Sequence, residues 1–147
     1  MAAARMNFVH PLHGLLLAFP IALFASALAF DITYLNTEVV QWSHFSAWLI
    51  AGAEVFGGLV LLWVIVDFIR FRNTSLRRRA LVYLVLIAAM WIGGLLNSFQ
   101  HSRDGWSSVG SFGLVLSILT AVLALAAGWL AYSAPALTRS TEKGDVK

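Results

Sequence analysis

The chain has no cysteine, and only 12% of its 147 residues are charged. Without cysteine there is no disulfide, no cysteine-ligated iron–sulfur centre, no thioether-attached haem and no thiol nucleophile. A soluble domain carries about a quarter charged residues, so this composition does not supply an ordinary water-facing surface. Phosphate loops, hydrolase triads and metalloprotease motifs are also missing. What is abundant is apolar. Sixty per cent of the residues are hydrophobic, and the mean hydropathy is +0.81. The 10 Lys+Arg and 7 Asp+Glu gather in clusters between long apolar runs, and only Glu54 interrupts such a run. That is the pattern of a polytopic membrane protein. It excludes a soluble enzyme. It also excludes a nucleic-acid partner, because the basic residues behind the pI near 9.8 form loop clusters and no recognition surface.

The apolar runs place four spans at 11–30, 45–68, 80–100 and 108–134, each long enough to cross a core of about 30 Å as a helix. In lipid these runs must be helices, since open strands would leave backbone groups unsatisfied. Short connections then make an all-α, up-down-up-down four-helix bundle over 1–137, with a polar tail at 138–147. Arg5, Arg70, Arg72, Arg77, Arg78, Arg79, Arg139, Lys143 and Lys147 fall on one side, and Arg103 alone on the other. The positive-inside rule therefore puts both termini in the cytoplasm. The same arginines are also available to anionic lipid or to a partner. Trp42, Trp106 and Tyr34 fit an outer interfacial belt, with Trp129 and Tyr132 near the inner one. Arg5, the apolar stretch and Ala25–Ser26–Ala27 look like a signal peptide, but the length of the stretch and Pro20 favour a retained span.

His10–Pro11–Leu12–His13, Phe19–Pro20–Ile21–Ala22–Leu23–Phe24 and Phe30–Asp31 resemble the bacterial membrane family called domain of unknown function 2231. The resemblance continues through Tyr34–Leu35, Trp42, Trp48–Leu49–Ile50, Asp67–Phe68, the arginine-rich middle loop, Gly113–Leu114 and Gly128–Trp129. It departs at Ala80–Leu81–Val82–Tyr83, where relatives often carry a histidine, and at Ala131–Tyr132–Ser133–Ala134–Pro135. The resemblance implies a multi-pass protein of the bacterial cytoplasmic membrane. Some relatives are joined to iron–sulfur domains, which leans towards redox surroundings.

By topology, His44 and His101 lie near the outer face, while His10 and His13 lie at the cytoplasmic end. One metal cannot use all four, and a three-histidine zinc centre is disfavoured. His44 and His101 are at matched depth on different helices, as axial ligands of haem b would be. Ala51 and Gly94 line a candidate slot between them, with Trp48 and Asn97 one turn inward. The competing reading is close helix packing and hydrated interface histidines. His10 and His13, spaced i, i+3, could chelate a metal with Asp67, or Asp67 could simply pin span one to span two. His10 followed by Pro11 also suits a helix start.

Glu54 lies near the bilayer midplane, where a carboxylate costs about 2–3 kcal/mol even on the lenient insertion scale. It should face the bundle and carry its proton, since an unpaired charge in hydrocarbon costs more than a neutral acid. Trp91 and Ser117 fall at similar depth and could complete a Glu54–Trp91–Ser117 layer. The alternative is a proton relay station.

Three functional readings follow. The first is a non-catalytic subunit or accessory of a membrane redox system, with the lipid bilayer, a redox partner or a second copy as its surroundings. The second is a haem electron carrier using His44 and His101. The third is a proton-coupled carrier centred on Glu54.

Overall fold

The computed structural model describes residues 5–6, 10–103, 109–133 and 137–138. Four helices account for nearly all of them: α1 Pro11–Thr37, α2 Val40–Phe71, α3 Arg77–His101 and α4 Ser111–Tyr132. All four are long and apolar enough to cross a membrane. A two-residue antiparallel pairing of β1 (Arg5–Met6) with β2 (Leu137–Thr138) ties the chain ends together. Trp106 and the tail from residue 139 lie outside the described residues.

Helix α1 packs on α2 and α4, and α3 packs on the same two, so the ring of helices follows chain order. The buried residues explain this arrangement. On α1 they are His13, Leu17, Pro20, Phe24, Ala27 and Asp31, spaced alternately four and three. The same alternation runs through Ala80, Tyr83, Ile87, Met90, Gly94, Asn97 and His101 on α3, and through Ser117, Thr120, Ala124, Ala127 and Ala131 on α4. A seam repeating every 3.5 residues keeps facing its partners when the helices supercoil left-handedly. Along α4 the seam is built of small residues, which let neighbouring backbones approach.

Burial is inverted relative to a soluble bundle. His13, Asp31, Ser46, Glu54, Asn97, His101, Ser117 and Thr120 are inside, whereas Leu15, Trp48, Val55, Leu62, Phe99 and Trp129 are each more than 60% exposed. A surface of that kind is stable against lipid tails and not against water.

The first two helices run further than the charge pattern suggests. The span expected to stop at residue 30 continues to Thr37, and the next begins at Val40 instead of 45. The polar residues between them do not break the helix because they bond back into it. Thr33 Oγ1 donates to Ala29 O, Asn36 Nδ2 to Ile32 O and Thr37 Oγ1 to Thr33 O. Asp31, expected in a junction, therefore lies six residues inside α1 and is fully buried. The turn itself is Glu38–Val39. Glu38 closes α1 in the left-handed conformation (φ 56°), its N–H donating to Tyr34 O at 2.7 Å.

Candidate functional site

The polar residues inside the bundle fall into three groups along its axis. The first is near the Glu38 turn. His101 Nε2 lies 2.9 Å from Asp31 Oδ1, with both side chains buried. His101 Nδ1 lies 3.0 Å from the carbonyl oxygen of Asn97. A carbonyl only accepts, so Nδ1 carries a hydrogen. The Nε2–Oδ1 contact then shares one further proton, held either by the imidazole or by the carboxyl group. Ser117 Oγ donates to Asp31 Oδ2, and Asn97 Nδ2 donates to Ser117 Oγ at 2.8 Å. Ser46 Oγ donates to Ala27 O at 3.2 Å and approaches His101 Nε2 at 3.4 Å. One acid–base pair thus bonds side chains from all four helices. That linkage is possible because Asp31, Ser46, His101 and Ser117 each lie on their helix's inward seam.

Glu54 is the second group. It is 9% exposed, and neither carboxyl oxygen has a hydrogen-bond partner among the described residues. Its carboxyl group fills the space that Gly94 leaves on α3. A Cβ there would collide with Glu54 Oε1 and lie 2.7 Å from Phe24 Cζ. Glycine at position 94 is what admits the acid to the core.

The third group is near the chain ends. His13, 2% exposed, shares a 2.7 Å hydrogen bond between its Nε2 and Tyr83 OH. Trp63 packs its ring against both His10 and His13, with centroids 5.8 and 5.7 Å away. His13, Asp67 and Tyr83 line a cavity of about 10 Å³, room for one water molecule.

Several expectations change. His44 is exposed on the outer face of α2, as are Trp48 and Ala51, while His101 is buried with both ring nitrogens engaged. The two imidazoles do not face one slot among the described residues, so their geometry gives the haem reading no support. The physical reason is phase, because matched depth says nothing about which way a helix face turns. His10 is exposed and caps α1, its Nδ1 accepting from Leu12 N–H at 3.2 Å. Among the described residues no three His, Cys, Asp or Glu side chains come together as a metal site, so His10, His13 and Asp67 are not gathered into one. The Glu54–Trp91–Ser117 layer does not form either. Trp91 Nε1 donates to the backbone oxygen of Glu54 at 3.2 Å, and Ser117 is taken by Asp31 and Asn97.

The residues that sequence reasoning misses are Asp31 and Tyr83. Asp31 reads as one of the junction charges. The seam that starts at His13 and steps alternately by four and three reaches it, and that spacing is the available signal. Tyr83 reads as one more aromatic of an apolar run, and only the packed bundle shows it bonded to His13 of another helix.

No curated protein and no solved structure matches the chain. A family match does exist, and it covers the whole bundle from just before His10 to the end of α4. Residues 9–134 match the family described as predicted membrane protein (DUF2231), and the chain belongs to that family.

Proposed function

We propose that this protein handles protons inside the membrane, with Asp31–His101, Glu54 and His13–Tyr83 as stations along the bundle axis. The observation that carries this reading is burial of ionisable groups at three depths of the bundle core. On α3, the level of Glu54 (Gly94) is eleven residues from Tyr83 and seven from His101, or roughly 16 and 10 Å by helix rise. Together they cover most of a hydrocarbon core of about 30 Å. Ionisable groups placed there are costly and mark proton or ion paths by default. Core side chains such as Phe24, Ile87 and Met90 fill the bundle between the stations, so transfer from one station to the next requires water to enter transiently. The redox-accessory expectation rests on the family resemblance and draws no support from these side chains.

The arginine count favours the end with Arg70, Arg72 and Arg77 as the cytoplasmic one, in a bacterial cytoplasmic membrane. The test is proton movement into liposomes carrying the purified protein, driven by a potassium diffusion potential and read with an enclosed pH dye. Wild type should acidify or alkalinise the lumen according to the sign of the potential, and Glu54→Gln and Asp31→Asn should not. A wild-type rate equal to that of protein-free liposomes would overturn the proposal.

A further inference from the structure

The buried polar atoms with no hydrogen-bond partner among the described residues include both carboxyl oxygens of Glu54 and Oδ1 of Asn97. The Glu54 carboxyl group fills the space beside Gly94, and Asn97 stands one turn further along α3 on the same buried seam. Helical side chains lean towards the helix N-terminus. The Asn97 side chain therefore leans back over the Gly94 turn, towards Glu54. Its other atom, Nδ2, already donates to Ser117, whose hydroxyl donates to Asp31.

From this geometry we infer that Asn97 couples Glu54 to the Asp31–His101 pair, its side-chain amide turning over as Glu54 gains or loses a proton. This rests on the proton reading above. With Glu54 protonated, its O–H donates to Asn97 Oδ1, and Nδ2 stays on Ser117 as observed. Ser117 keeps its hydrogen on Asp31 Oδ2, which favours Asp31 as the carboxylate and leaves the shared proton on His101 Nε2. With Glu54 ionised, the carboxylate needs a donor, and the amide supplies one by rotating Nδ2 towards it. Oδ1 then faces Ser117 and accepts its O–H, so Asp31 Oδ2 loses its donor. The shared proton crosses the 2.9 Å contact from His101 Nε2 to Asp31 Oδ1.

Protons balance throughout. Glu54 releases one to water that enters transiently, the pair keeps its single shared proton, and His101 Nδ1–H stays on the Asn97 carbonyl. No proton crosses the amide, which transmits orientation only, so Asn97 is a positioning residue. The other packed elements leave this circuit simple. Helix α1 presents Asp31 and Phe24, α2 presents Glu54 and Ser46, and α4 presents the hydroxyls of Ser117 and Thr120 with no titratable residue between Ser111 and Ala131. His44 faces outward, and Arg103, beyond His101, bonds Gln100 Oε1 at 3.4 Å.

The experiment uses the full chain in detergent micelles, labelled at histidine and asparagine. The His101 ring and Asn97 amide signals are followed against pH by NMR. Glu54→Gln keeps a donor beside Asn97 at every pH, so in the pH range where wild-type Glu54 is ionised it should displace the proton affinity of the Asp31–His101 pair by roughly 5-fold or more. In an Asn97→Ala background the same change should displace it by less than about 2-fold. If Asn97→Ala does not fold, the wild-type Asn97 Nδ2 signals decide. They should move as Glu54 titrates and stay fixed in Glu54→Gln. A His101 titration indifferent to Glu54→Gln, a displacement that survives Asn97→Ala, or unmoving Asn97 amide signals would each overturn the coupling. The liposome assay keeps the two ideas apart: flux with an indifferent His101 removes the coupling alone, and absence of flux removes the proton reading.

Discussion

Replacing His101 with leucine tests whether the Asp31–His101 pair holds the bundle together. The change removes contacts to Asp31 Oδ1 at 2.9 Å, Asn97 O at 3.0 Å and Ser46 Oγ at 3.4 Å. Hydrogen bonds between side chains in membranes average about 0.6 kcal/mol and reach about 1.7, so three such contacts amount to roughly 2 kcal/mol. Removing one member of a buried ion pair costs about 3–5 kcal/mol when the survivor stays charged. The expected loss for His101→Leu therefore lies between about 2 kcal/mol, the bonds alone, and the roughly 3–5 kcal/mol of an uncompensated buried charge. Asp31→Asn should behave differently. His101 Nδ1 carries the hydrogen donated to Asn97 O, so Nε2 can accept from the –NH₂ of the introduced amide, whose oxygen can accept from Ser117. That variant should lose less than about 1 kcal/mol. Both values are read from denaturant titration in mixed micelles, followed by tryptophan fluorescence. A neutral His101→Leu beside an unfolded Asp31→Asn would refute the reasoning, because it would mean that the carboxylate matters independently of its imidazole.

Two glycines should respond unequally to alanine. At Gly94 the new Cβ meets Glu54 and the Phe24 ring inside the core, and should cost about 1–3 kcal/mol in the same unfolding titration. At Gly128 it meets Ile21 Cδ1 at 2.7 Å, the free end of a flexible side chain, and should cost less than about 1 kcal/mol. Glu38→Gly removes a side chain from a left-handed turn and should raise unfolding free energy by up to about 1 kcal/mol. Tyr83→Phe strips the hydroxyl from buried His13 and should cost about 1–3 kcal/mol. Tyr132→Phe loses the 2.7 Å bond to Gly14 O at the exposed edge and should cost less, a ranking the same titration checks.

The four helices, their order and their lipid-facing character were legible in the chain because each depends on a property averaged over some twenty residues. A misjudged residue in such a run changes nothing. The helix ends were less legible, since Thr33, Asn36 and Thr37 look like loop residues until their side chains are seen bonding to the preceding turn. Glu54 was identifiable from the sequence because a carboxylate inside an apolar run is improbable wherever it points. Its neighbours were not. Depth along a helix follows from counting residues, and counting set His44 level with His101 and Ser117 level with Glu54. Which residues touch depends also on the rotation of each helix about its axis, and a fifty-degree error there exchanges a core position for a lipid-facing one. Only the packed bundle sets that rotation, through the 3.5-residue seam shared by four helices at once. It turned His44 outward, brought Asp31 onto His101 and Ser117 onto Asp31, and left Glu54 against Gly94.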